Sequence, residues 1–559
     1  MSLTKVTYSM INGAPANVLD FGAVGDGTTD DTTAIQAALN SGSKYIVFPS
    51  GTYKLTSSIT IPQNIAVEFD TATIKGHFSD YLIKFAFAGE SILRGKLTLT
   101  DDDASVVSAA TTLTKGIEFG NTASAIHGVD TSGCDIYASK LLTAYYFGEF
   151  SYSNVFGVLR AFNCGNSTTS AVLFYAVGLI GPNDVYIQKL EITGSNTATW
   201  NGAGLLIQGG FGIGFGQLHI ESIYNANGAQ FFSCCIDIQS GYFESAGATS
   251  TSNTLYVNAG AKVAFNGSLI NCPVTLNVRA NFIGCRFFKS EIYARADYFG
   301  CQWPNANQLQ LTLTGLQASD LPSFNGGSTA LEFSRFSGNW SEYGQSYAGV
   351  VPDFDYFDPN HSMLTSGDTW NSNSLLVTKT ATGTYFGAIG FKFNVRYVDA
   401  QVYAWAIVKI PSVDGVSEVR VGVGGALGSA SFDIDSVSIV QDTLPDEWIL
   451  VVLPLATVFT SATYSNQAYL IFEGTDEANG KKFLIDSYGV EAGGCTFKNI
   501  GTSFTPQSAN YLKGTAAPTT GTWAVGQRMQ QQTPVVGQPK GWSCTVAGTP
   551  GTWVSEGNL

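Results

Sequence analysis

Two short segments of the chain carry acids at a spacing that suits cleavage of a glycosidic bond. His219-Ile220-Glu221-Ser222 and Asp237-Ile238-Gln239-Ser240 repeat an Ile-x-Ser pattern 18 residues apart. With the two isoleucines pointing inward on neighbouring coils, alternation turns His219 and Glu221 outward beside Asp237 and Gln239. Coils ~4.8 Å apart and i, i+2 residues ~6.7 Å apart put Glu221 and Asp237 on a diagonal of roughly 8 Å. Inverting glycosidases separate their acid and base carboxyls by roughly 6.5–9.5 Å. Glu221 and Asp237 are therefore candidate acid and base in unassigned order, and Glu244 of Gly241-Tyr-Phe-Glu244 is a third candidate acid. Tyr224, Tyr242 and Trp200 offer flat faces for sugar rings, with His219 and Gln239 as polar contacts. The alternative for all of them is an ordinary solvated surface, where most outward acids sit.

A second constellation favours a different reaction. Val278-Arg279-Ala280-Asn281 and Ala294-Arg295-Ala296-Asp297 recur 16 residues apart. Inward alanines would stack Arg279 over Arg295, a like-charge pair that needs an acid between them. Asp297 or Glu291 can supply it, and so can the carboxylate of an acidic sugar. In the latter case a cation neutralises the uronate while a base removes the neighbouring proton, which is lyase chemistry.

Other chemistries find no footing. Histidines 77, 127, 219 and 361 are scattered, with no paired ligand spacing, so neither a catalytic metal nor another cofactor is expected. Gly210-Phe-Gly-Ile-Gly-Phe-Gly216 is followed by no helical pattern and does not suit a dinucleotide. Asp353, Asp355 and Asp358 suit a polar linker better than a calcium loop. The formal charge is −15, from 43 acidic and 28 basic residues, with no Lys/Arg run. That excludes a nucleic-acid footprint and leaves stacking and hydrogen bonding as the means of holding a neutral or acidic polymer. The nine cysteines include no CxxC and sit mostly in apolar runs, as buried free thiols do. No apolar stretch is long enough to span a bilayer, and the N-terminus lacks an export signal.

These candidates need elements to position them, and the composition points to strands. Glycine numbers 62, aromatics are 13% and charged residues only 13%, a balance suited to short strands and tight turns. One helix is expected after the capping residues Thr29-Asp30-Asp31, with Ile35, Ala38 and Leu39 at helical spacing and Asn40-Ser41-Gly42 as its stop. Strands are expected at 45–48, 59–61, 65–69 and 92–99. Farther on, Phe265-Asn-Gly267, Phe282-Ile-Gly284 and Tyr298-Phe-Gly300 place an aromatic two residues before a glycine, at spacings of 17 and 16. A short elastic period without helices implies a β-solenoid. The texture changes at 345–362. Longer alternating strands at 391–395, 402–410, 448–453 and 483–490 then read as an antiparallel sandwich. The expected division is a lead-in at 1–20, a β-helix at 21–345, a linker at 346–362, a sandwich at 363–495 and a C-terminal module at 496–559.

The segment from Ala16-Asn-Val-Leu-Asp-Phe-Gly-Ala-Val-Gly-Asp-Gly through Leu39, followed by Phe48-Pro-Ser-Gly-Thr-Tyr53, resembles the opening signature of the pectate-lyase-like β-helix superfamily. Val6-Thr-Tyr-Ser-Met-Ile11 and Gly13-Ala-Pro15 are similar to what precedes it in capsule-degrading phage tailspikes. The resemblance implies an all-β chain. Its parts are a right-handed parallel β-helix with an N-terminal capping helix, a sandwich whose closing Phe483-Leu-Ile-Asp-Ser-Tyr-Gly-Val490 is similar to carbohydrate-binding modules, and a small C-terminal module. It also implies a depolymerase of bacterial capsular or surface polysaccharide, for which the acid pair Glu221 and Asp237 favours hydrolase over lyase. Such a protein is a homotrimer attached to the phage tail through its N-terminus and carried on the virion. The superfamily also contains non-enzymatic adhesins, so a receptor-binding spike without catalysis stays open.

Overall fold

The computed structural model describes residues 14–325 apart from 87–89, 104–113, 121–125, 150, 167–168, 177–180, 195–203, 224–227, 245–254, 290 and 305–308. Beyond 325 it describes the strands named below with short flanking stretches. The chain divides into two compact units, Met1–Lys289 with Tyr293–Pro304, and Ser290–Ile292 with Asn305–Leu559. Trp200, Tyr224, Asp353 and Asp358 lie outside the described residues.

The first unit is a parallel β-helix. Strands pair in parallel from Ala16–Asn17 on Tyr45–Phe48 up to Ala280–Ile283 on Ala296–Phe299. Its axis is filled by rings whose stacking follows from the parallel register. Phe85, Phe119, Phe147 and Phe174 lie one above another at 5.4, 5.2 and 4.2 Å between centroids. The aromatic-x-glycine repeat is realised in the same way. Phe265 pairs with Phe282 and Phe282 with Tyr298, the rings stacked at 5.0 and 5.6 Å. Gly267, Gly284 and Gly300 turn the corner with φ between +52° and +60°, a conformation that costs glycine little.

The opening signature has a structural explanation residue by residue. The single α-helix among the described residues runs Thr32–Leu39 and buries Ile35, Ala38 and Leu39. Asp31 stands at its N-cap, but the carboxylate does not cap the helix as the sequence suggested. It turns back to accept from the amides of Val24, at 2.6 Å, and Gly25, at 3.1 Å. Asp30 takes the Thr32 amide instead, at 3.0 Å. Gln36 reaches into the sheet, its amide group donating to the Thr60 carbonyl and accepting from the Thr60 amide. Tyr53 is fully buried and donates to the Pro49 carbonyl at 2.8 Å. Gly25, at φ +69°, leaves room for its ring. Asp31 is 0% exposed, so Asp31→Ala removes the acceptor of two part-buried amides. The expected loss is about 1–3 kcal/mol, read from the urea midpoint, with Asp31→Asn recovering part of it.

The second unit contains two antiparallel sheets and a smaller one. In the first, Leu309–Thr312, Trp448–Leu455, Val402–Lys409, Lys482–Ala492, Ser374–Lys379 and His361–Ser366 lie side by side. The second runs Phe354–Tyr356, Ala388–Asn394, Gln467–Gly474, Glu418–Gly424, Ser436–Val440. Phe472 of one meets Tyr488 of the other at 6.2 Å, edge to face. Leu309–Thr312 pairs antiparallel with Trp448–Leu455, whereas the sequence boundary near 345 had placed it in the β-helix. Leu512–Gly514, Arg528–Gln531, Gly541–Val546 and Thr552–Ser555 form the four-stranded terminal sheet.

Candidate functional site

The register overturns the alignment from which the acid pair was inferred. Ile220 lies beside Phe243, and Ile238 beside Phe215. Both isoleucines do point inward, being fully buried. They occupy different faces of the coil, separated by the corner at Gly216-Gln217 and its counterpart at Gln239-Ser240. Glu221 and Asp237 are therefore not neighbours, and the 8 Å diagonal does not exist. Asp237 neighbours Gly214 and Ala264 on another face. It is exposed and accepts from the Asn266 side-chain amide at 2.7 Å. Gln239 lies in the corner, its backbone amide bonded to the Phe215 carbonyl.

What the register does bring together is Glu221 and Glu244. His219 pairs with Tyr242 and Ile220 with Phe243, so the next residues, Glu221 and Glu244, sit side by side on successive coils. Buried Ile220 and Phe243 turn both acids outward. On the two preceding coils Arg160 pairs with Glu191, which in turn pairs with His219, and Thr193 pairs with Glu221. The face thus carries three carboxylates, Glu191, Glu221 and Glu244, with His219 among them.

Each acid is held differently. Lys189 meets Glu191 at 2.9 Å and Arg160 approaches it at 3.4 Å; Arg160 also bonds Asp135. Burial pushes the Glu191 pKa up, but the Lys189 bond and charge, with His219 and Arg160, outweigh it and hold the group below the ordinary range. Glu221 has His219 Nε2 at 3.1 Å without the alignment of a hydrogen bond, since that buried nitrogen has no hydrogen-bond partner. The His219 ring stands edge-on to Tyr242 at 4.7 Å. The Tyr242 hydroxyl donates to Glu244, and that bond first, then burial and the charges of Glu244 and Glu221, raise the phenol pKa.

A lowered carboxylate pKa stabilises the fold above the unfolded value, and the gain is lost as pH falls through the folded value. Wild type is expected to lose stability to Glu191 protonation below the ordinary glutamate range, a component that Glu191→Gln removes. Melting temperature measured against pH for both proteins checks this.

The arginine repeat has the expected register, with Ala280 beside Ala296 and both buried. Arg279 meets Asp297 at 2.7 Å, and Arg295 donates to the Leu276 carbonyl at 3.1 Å from a left-handed backbone, φ +59°. The protein's own acid and carbonyl thus engage the cations that a uronate would need. Among the described residues no cluster of three or more metal-binding side chains occurs, and no helix is long and apolar enough to cross a membrane.

Residues 16–137 match the family described as Rhamnogalacturonase A/epimerase, pectate lyase-like. The match spans the opening signature and the first coils, and stops before Glu191. Three solved structures are among those to which the chain is similar at low identity. The enzymatically active domain of bacteriophage CBA120 tailspike protein 4 is 12% identical, with a TM-score of 0.47 over 86% of this chain and 68% of that one. Tailspike protein 2 of an Escherichia coli O157:H7 bacteriophage is 12% identical, with a TM-score of 0.41 over 86% and 74%. PfbA, a surface adhesin of Streptococcus pneumoniae, is 12% identical, with a TM-score of 0.34 over 63% and 97%. At these values no residue role passes from one chain to another. No curated protein sequence matches the chain.

Proposed function

We propose that the protein is a bacteriophage tailspike depolymerase that hydrolyses a bacterial capsular or surface polysaccharide with Glu221 and Glu244. The observation carrying this reading is the pairing of His219-Ile220 with Tyr242-Phe243, which sets two outward carboxylates one coil apart. Coil spacing is ~4.8 Å, near the roughly 5–5.5 Å of retaining glycosidases rather than the wider gap of inverting ones.

The roles follow from what holds each acid. The Tyr242 hydroxyl donates to Glu244 and fixes the position of that carboxylate, so Glu244 is taken as the nucleophile. Glu221, beside His219, is the acid. Glu221 gives its proton to the glycosidic oxygen as that C–O bond breaks, while a Glu244 oxygen bonds to the anomeric carbon. Water then loses a proton to Glu221 and attacks the same carbon, and Glu244 leaves as carboxylate. One water is consumed and both acids return to their starting states.

On this reading the spike is a homotrimer, docked to the tail through its N-terminal segment. Light scattering on the purified protein tests the trimer. An array of capsular and O-antigen polysaccharides tests the chemistry. Fragments that each gain one water, with the anomeric configuration retained by NMR, are expected. Inverted product removes Glu244 as nucleophile. Fragments bearing the ultraviolet absorbance of an unsaturated uronate make the protein a lyase, and binding without fragments makes it a receptor-binding spike.

A further inference from the structure

The face that carries Glu191, Glu221 and Glu244 extends upstream as two continuous columns of outward side chains. In one column Thr73 pairs with Thr98, Thr98 with Tyr137, Tyr137 with Arg160, Arg160 with Glu191 and Glu191 with His219. In the other, Thr100 pairs with Ser139, Ser139 with Phe162, Phe162 with Thr193 and Thr193 with Glu221. Large aromatics pointing inward from these coils are almost wholly buried; Tyr145, Phe147, Phe156 and Phe174 are each 0% exposed. Tyr137 and Phe162 point outward instead, at 37% and 39% exposure. They sit on adjacent coils and adjacent columns, a diagonal of roughly 8 Å.

From this we infer that Tyr137 and Phe162 form a stacking platform for sugar rings, and that the polysaccharide lies along the solenoid axis from this platform across Glu221 and Glu244. The inference deepens the hydrolase reading and rests on it for the position of the cut. Phe162 stands two coils from Glu221 in the same column, roughly 10 Å at the coil spacing, more than one sugar ring away. A glycan held at the platform therefore reaches the acids with further residues, and the bond presented there is internal to the chain. The chemistry of the columns suits the same ligand. Thr98, Thr100 and Ser139 supply hydroxyls on one side of the rings, and Ser139 already bonds Thr100 at 3.2 Å. Arg160, beside Tyr137, bonds Asp135 and Glu191, which keeps a planar cation fixed at the platform's edge. Amphipathic sugar rings, with an apolar face and polar rim, fit aromatic faces bordered by hydroxyls.

The test separates binding from cleavage. The Glu221→Gln protein is applied to an array of bacterial capsular and O-antigen polysaccharides, and the dissociation constant is measured for the polysaccharide it retains. Adding Tyr137→Ala and Phe162→Ala together is expected to weaken that binding at least tenfold, while Tyr137→Phe with Phe162→Tyr preserves it. Phe211→Ala, at a residue 55% exposed on another part of the coil, is the control and leaves binding unchanged. Circular dichroism melting confirms that each variant is folded. Equal binding by the double-alanine protein overturns the platform, as does an equal loss from Phe211→Ala. A change of oligomeric state in the double-alanine protein also overturns it, because the rings would then face a second copy of the chain. Binding that depends on the platform, together with no cleavage by wild type, keeps the platform and rejects the hydrolase. No binding to any polysaccharide on the array rejects both.

Discussion

Glu221→Gln is expected to lower depolymerisation by roughly 10²–10⁴-fold, the usual worth of a positioned proton-transfer group. Glu244→Gln, which removes the nucleophile, is expected to lower it by at least as much, while Asp237→Asn stays close to wild type. The first two substitutions remove a proton donor and a nucleophile at neighbouring positions of one sheet face. Neither is expected to unfold the protein, because Glu221 is about one-third exposed and the amide is isosteric. The third substitution alters an exposed side chain whose single described bond is to Asn266, on a different face of the coil. Reducing-end release from the cleaved polysaccharide measures all three, with binding followed in parallel. Retained binding with lost turnover assigns Glu221 and Glu244 to the chemistry. Loss of activity in Asp237→Asn alone would move the site to the Gly214-Asp237-Ala264 column and end the present assignment.

The contrast between Asp237 and Glu244 shows where sequence reasoning stopped. Alternation correctly turned Ile220 and Ile238 inward and their neighbours outward, since period two is a local property of an extended chain. Which outward residues become neighbours depends on the full length of the intervening coil, corners included. Ile-x-Ser at 220 and 238 is a coincidence of two strands on two faces. The aligned pair was Leu190-Glu191-Ile192 and Leu218-His219-Ile220, whose shared Leu-x-Ile pattern was available in the sequence and would have put Glu191 beside His219. In the coils from 262 to 299 no such ambiguity arose. Phe265, Phe282 and Tyr298 each precede a glycine at a corner, so the glycines fixed the phase of the repeat and the rings stack as expected. Alternation also turns Tyr137, between Ile136 and Ala138, outward, but that Phe162 comes to the same face depends on the register of neighbouring coils.

Phe147→Ala is expected to destabilise the β-helix by about 3–5 kcal/mol, the range for truncating a buried phenylalanine. Phe147 is wholly buried. Its ring lies 4.2 Å from Phe174 at 13° and 5.2 Å from Phe119 at 19°, with the Phe156 ring edge-on at 5.2 Å. Three rings thus lose contact surface at once. The cavity also resists collapse, because hydrogen-bonded strands above and below hold the coils at a fixed spacing. Tyr146 pairs with Leu173 and Phe147 with Phe174, so moving one ring inward strains ladder bonds on two coils. In a solenoid each coil is stabilised through its neighbours, and the loss is expected to lower the melting temperature of the unit as a whole. Phe162→Ala, made in the same scaffold at a partly exposed ring, is expected to stay within about 0.5 kcal/mol of wild type. Urea unfolding with refolding verified measures both. Equal midpoints for the two variants would mean that the axial stack does not hold the coils together, and that the backbone ladder alone does.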